Sequence, residues 1–119
     1  MIKRIFLLTV LFSVLGNALI AQDRLINKAD EKYSDYSFSP AIDIYKRVLD
    51  KGYTSADLLM KLGNSYYFNA EYKEASEIYK RLLSEYKEGI GPEYYFRYAQ
   101  TLRSLGEYDL SKDVMAEFS

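Results

Sequence analysis

The chain has 119 residues, with 16 basic and 17 acidic side chains, thirteen tyrosines, and neither histidine nor cysteine. That composition excludes a Ser-His-Asp or Cys-His nucleophile, an ordinary zinc or haem site, a disulfide framework and a lipid-bearing cysteine. A net charge of −1 without a basic stripe argues against nucleic acid as a partner.

The N-terminus reads as an address. Lys3 and Arg4 open it, residues 5–15 form a mostly apolar run, and Gly16 and Asn17 end that run. This is the layout of a secretory signal peptide, and the run is too short to span a bilayer comfortably. The preferred boundary is Ala21, giving a leader of residues 1–21. Ala18 meets the small-x-small rule better, because Leu19 is bulky for the minus-three position. Cleavage after Ala21 leaves 98 residues with 14 basic and 17 acidic groups and no further span of membrane length.

Residues 22–119 repeat. A shift of 36 carries Gly63 to Ala99, Tyr72 to Tyr108, Ala75 to Ser111, Tyr79 to Met115 and Leu82 to Phe118. A shift of 34 towards the N-terminus carries Gly63 to Ala29, Ala75 to Ala41, Tyr79 to Tyr45 and Leu82 to Val48. The spacing predicts three units at about 22–55, 56–91 and 92–119, the last incomplete. The loop "KEGIG" absorbs the two extra residues. Small residues at fixed places let paired helices approach, and Tyr66, Tyr79 and Leu82 fill the space beside them.

Helix signals agree with that division. Thr54 and Ser55 are N-cap residues, with Asp57 in the first turn, and Pro92 opens a helix where its missing N–H does no harm. "FNAEY" and "SLGEY" supply tight turns, and no stretch alternates with period two. The expected fold is all-α. No P-loop or dinucleotide-binding loop appears, and the carboxylates fall mainly on helix starts and exposed repeat positions, so no catalytic, cofactor or metal residue is nominated. About half of the tyrosines occupy repeat core positions.

The unit resembles the tetratricopeptide repeat, W-x2-L-G-x2-Y, then A-x3-F, then P. Leu59 stands at the tryptophan position, Leu62, Gly63 and Tyr66 match directly, and Ala75 with Tyr79 completes the second helix. Lys87 replaces the final proline, and Lys28 and Lys32 occupy the leucine and tyrosine places of the first unit. The resemblance implies a helical solenoid whose first helices line a concave groove. Carried over, the groove takes Asp57, Met60, Asn64 and Tyr67 from the second unit and Glu93, Phe96, Gln100 and Arg103 from the third. Asp23, Ile26, Asp30 and Tyr33 are the counterparts in the first. Of the lysine, arginine and paired asparagines with which some such domains clamp a C-terminal carboxylate, only Asn64 survives. An extended or helical segment of a protein is therefore the expected occupant.

"KGYTSADLLMKLGNSYYFNAEYKEA" followed by "PEYYFRYAQTLRSLGEY" is similar to the N-terminal repeat region of Bacteroidetes OmpA-family envelope proteins, some of which are linked to secretion and gliding. That resemblance implies a periplasmic, outer-membrane-associated scaffold with a protein or peptide partner in the cell envelope. The alternative is a module that contacts peptidoglycan or carbohydrate through Tyr33, Tyr67 and Phe96. The last helix carries Val114, Met115 and Phe118 with no polar helix after it. The chain is thus expected to be a fragment or truncated product that leaves Tyr98, Leu102 and Met115 less covered than their counterparts and self-associates there.

Overall fold

The computed structural model describes residues 2–118, so Met1 of the expected leader and Ser119 of the third unit lie outside the described residues. Among them are six helices and no strand: α1 (Ile2–Ser34), α2 (Phe38–Asp50), α3 (Ala56–Phe68), α4 (Tyr72–Glu85), α5 (Pro92–Ser104) and α6 (Tyr108–Phe118). They pair as α1 with α2, α3 with α4 and α5 with α6, and the pairs stack α2 on α3 and α4 on α5. The all-α expectation holds.

The local signals act where the sequence places them. Ser55 caps α3, its hydroxyl accepting the Leu58 N–H at 3.1 Å, and Pro92 starts α5. Within each pair the chain turns through a residue of positive φ: Tyr36 (59°), Ala70 (58°) and Gly106 (82°). Each turn closes the same way. Ser37 donates to the Lys32 carbonyl, Glu71 to Tyr66 and Glu107 to Leu102, the six-to-one bond of a Schellman motif.

Small residues sit at the closest approaches. Ala29, Gly63 and Ala99 on the first helices, with Ala41, Ala75 and Ser111 on the second, are all buried. Around them Tyr45, Val48, Leu59, Leu62, Tyr79 and Leu82 are fully enclosed and make one continuous core.

The first unit departs from the repeat pattern for a physical reason. Leu58, Leu62 and Ser65 of α3 are buried against the preceding pair, and their counterparts on α1 are Arg24, Lys28 and Glu31, all exposed. Among the described residues no helix packs on that face, and its charged residues make it polar. α1 itself runs unbroken through Gly16 and Asn17, and residues 17–21 are exposed. Residues 5–15 alone are short for a bilayer. With the helix continued to Ile20, α1 becomes the one described helix long and apolar enough to cross a membrane, a test that a signal sequence also passes.

The opposite end meets the expectation in part. Tyr98 at 7% exposure is slightly less covered than its counterpart Leu62 at 0%. Leu102 at 4% is as covered as Tyr66 at 6%, because a first helix is enclosed by its own partner and by the preceding pair. The open surface lies on α6: Met115 is 37% exposed where Tyr79 is at 0%, and Phe118 is 47% exposed where Leu82 is at 0%.

Candidate functional site

The groove residues come from the same positions of successive first helices, which stand side by side, α1 beside α3 and α3 beside α5. Asp57 is exposed in the first turn of α3 and pairs with Lys61 at 3.0 Å. Met60 is half-buried against the core. Tyr67 is half-buried, donates its hydroxyl to the Gln100 side-chain carbonyl, and sets its ring edge-on to Tyr72 at 6.1 Å. Glu93, Phe96 and Arg103 are exposed on α5. Tyr67, Gln100 and Arg103, with Tyr72 and Ser104, surround a cleft of about 430 Å³.

Asn64 differs from these. It is 3% exposed, and its amide is hydrogen-bonded to tyrosine and arginine side chains from all three helix pairs. Its nitrogen donates to the Tyr33 hydroxyl oxygen at 3.1 Å, while its oxygen accepts from Tyr79 at 2.7 Å and Arg97 at 3.0 Å. Asn64 therefore holds the groove together from beneath rather than facing outward.

A second node repeats the design one unit earlier. Asp30, the counterpart of Asn64, accepts from Tyr45 at 2.5 Å and pairs with Lys61 at 3.3 Å. Burial and the adjoining carboxylate push the Tyr45 phenol well above its usual range. Partial burial works to lower the Lys61 pKa, but Asp57 and Asp30 outweigh it and hold the ammonium above its ordinary value.

Arg97 was not among the expected groove residues, although a shift of 36 takes Lys61 onto it. Its guanidinium lies 5.3 Å from the Phe68 ring centre and 5.7 Å from that of Tyr94. Phe68 in turn stacks on Phe38 at 5.2 Å, and Phe38 meets Tyr33 edge-on at 5.8 Å. An aromatic row with one embedded cation thus runs across all three helix pairs. Such a surface offers stacking, apolar contact and hydrogen bonding to a passing chain.

Two family models match the chain, each described as a tetratricopeptide repeat, over residues 57–88 and 92–117. No curated protein matches it. Tetratricopeptide repeats typically bind protein partners and generally serve as non-catalytic scaffolds. The chain is an all-α helical repeat built on tetratricopeptide repeats.

Proposed function

We propose that this chain is an exported interaction module of the cell envelope, which holds a segment of a protein partner along the row formed by Met60, Tyr67, Phe96, Gln100 and Arg103. The observation that carries the binding role is that row itself. It sits on the two matched repeats and combines an exposed phenyl ring, an exposed guanidinium and a hydrogen-bonded tyrosine–glutamine pair that lines a cleft. Asp57 and Glu93 border it with negative charge.

Export rests on the basic start and the apolar half of α1, whose membrane-length window is entirely unburied. In this reading residues 1–21 are a leader, and the similarity to the repeat region of OmpA-family proteins supports a periplasmic scaffold associated with the outer membrane. A pull-down from envelope extract, with and without muramidase digestion, tests the assignment. Capture that survives digestion and is lost in the Tyr67→Ala/Phe96→Ala double variant, with circular dichroism unchanged, supports a protein partner. Capture lost on digestion identifies the wall polymer instead, and capture by the double variant rejects the row. Intact mass of the secreted protein checks the leader: retention of Met1 overturns it.

A further inference from the structure

The first helices of the second and third units have the same length, thirteen residues, and each carries an acid at its second position: Asp57 in α3 and Glu93 in α5. A shift of 34 lays α3 on residues 22–34, and α1 does end at Ser34. The same shift carries Asp57 onto Asp23. An acid in the first turn is favourable because it meets the positive end of the helix dipole. Asp23 lacks that advantage while residues 2–21 continue the helix in front of it. The repeat therefore starts its first helix at residue 22, inside a longer one.

What stands before residue 22 has no counterpart in the repeat. Residues 19–21 correspond to Tyr53, Thr54 and Ser55, which lie outside any helix. Leu19 and Ile20 are 60% and 54% exposed, so a chain cut after Ala18 keeps two large apolar side chains in water, and one cut after Ala21 loses both. The core is untouched by either cut, because it begins with Ala29 and the half-buried Leu25 and Ile26. The register thus selects the boundary that makes Gln22 the terminal residue.

We propose that Gln22, once terminal, closes on itself to a pyroglutamyl group. The α-amine nitrogen attacks Cδ of the Gln22 side-chain amide. The N–Cδ bond forms, the Cδ–Nε2 bond breaks, and an amine proton leaves with the amide nitrogen as ammonia. The product is a five-membered lactam, and no oxidant or co-reactant is consumed. An α-amine titrates just below pH 8, so in mild alkali it is largely unprotonated and nucleophilic. The helix does not hold it, since first-turn N–H groups have no acceptor within their own helix. Among the described residues no hydrogen bond holds the Gln22 side-chain amide either. Closure spares the Gln22 main-chain carbonyl, so the first helical bond survives, and it removes a positive charge from the positive end of the dipole. The proposal rests on the leader reading above and names the chemistry of the end which that reading creates.

The test expresses the full chain with its leader, recovers the exported protein and holds it overnight in mild alkali. Intact mass and the mass of the N-terminal peptide are then measured. The expected mass is that of residues 22–119 less one ammonia. The terminus should resist stepwise sequencing until a pyroglutamyl aminopeptidase exposes Asp23. Gln22→Asn keeps a side-chain amide but would have to close a strained four-membered ring, so it should show the full mass of residues 22–119 and an open terminus. Retention of Met1 overturns the leader and the lactam together. A chain that begins at Leu19 leaves export standing and overturns the lactam. An open Gln22 leaves the boundary standing and overturns the closure. The same loss of ammonia in Gln22→Asn overturns it as well, by placing the loss elsewhere in the chain.

Discussion

Gly63 faces Tyr79 so closely that a β-carbon on it would stand 2.7 Å from Cε1 and 2.8 Å from Cδ1 of the ring. Tyr79 cannot easily yield, because it is fully buried and its hydroxyl is held by Asn64. Two effects therefore compete in Gly63→Ala. Alanine is favoured over glycine in a helix interior by about 1 kcal/mol. Forcing a methyl into a filled interface costs about 1–3 kcal/mol. The clash should win, lowering the melting temperature, and Gly63→Leu should cost more. Pairing Gly63→Ala with Tyr79→Leu should recover part of the loss relative to Tyr79→Leu alone. Thermal melts of the three variants check this; a Gly63→Ala protein as stable as the parent would mean that the clash costs no more than the helix gain.

Asn64 offers a sharper comparison, because the protein contains its acidic counterpart. Asp30 takes a tyrosine hydroxyl and a lysine, and Asn64 takes a tyrosine hydroxyl and an arginine. Asn64→Asp should therefore be tolerated near neutral pH, within about 1 kcal/mol, with Tyr33 turning its hydroxyl to donate. Asn64→Leu strands Tyr33, Tyr79 and Arg97 together and should cost about 2–3 kcal/mol. Urea unfolding of both variants distinguishes a specific hub from a merely polar position, since similar losses in the two would remove the hub.

These contrasts show what the sequence could and could not disclose. The repeat unit was legible because its small residues and aromatics recur at fixed spacing, and periodicity is a property of the chain alone. The burial of Asn64 was not. A polar residue on a first helix reads as surface, and its partners lie 31, 15 and 33 residues away. Arg97 could have been found by carrying Lys61 forward, but only once Lys61 was known to reach into the neighbouring repeat. Leu102 shares the apolar pattern of the last helix pair with Met115, and spacing alone does not say that the preceding pair covers the one and not the other. Likewise, Gly16 and Asn17 interrupt hydropathy without interrupting the backbone, so α1 continues past them. The groove residues themselves followed from the family pattern, which says which face they share and nothing about their bonds.

The turns permit a stabilising prediction. Ala70 occupies the left-handed region at φ 58°, the place taken by Gly106 one repeat later. A β-carbon in that conformation costs about 1–2 kcal/mol, and glycine's greater freedom in the unfolded chain returns about 0.4–1 kcal/mol of that. Ala70→Gly should thus raise stability by about 0.5–1 kcal/mol. Gly106→Ala should lower it, and a melting temperature shifted in the opposite sense for either variant would contradict the shared turn geometry. Ala70 and Gly106 meet the groove row through their backbone N–H groups, which donate to the Tyr67 and Arg103 carbonyls at 3.0 Å and survive either substitution, so partner capture should remain as in the parent.

High pH should unfold the protein through its enclosed tyrosines. Burial pushes the Tyr66 phenol up to about 12, helped by the nearby carboxylates of Glu71, Glu74, Asp43 and Glu77. Tyr45 and Tyr79 are also raised, again chiefly by burial; Asp30 adds to the rise at Tyr45, whereas Arg97 opposes it at Tyr79. In the unfolded chain a tyrosine loses its proton near pH 10. Between pH 10 and about 12 the folded state therefore binds more protons than the unfolded state. The derivative of unfolding free energy with pH is then negative, and stability that is fully present below pH 10 drains away as pH rises. Each of the three groups contributes a slope of about 1.4 kcal/mol per pH unit within its window. Melting temperature should fall steeply above pH 10, and the tyrosinate absorbance should rise together with the loss of helicity. Tyr66→Phe should flatten that fall at little cost near pH 7, because among the described residues no side-chain bond holds its hydroxyl. Tyr79→Phe should flatten it too, but should also lose stability at pH 7 by leaving Asn64 one hydrogen bond short. Tyrosinate absorbance that appears in full before any helix is lost would show that these rings ionise within the folded protein, and would overturn the assignment of alkaline instability to their burial.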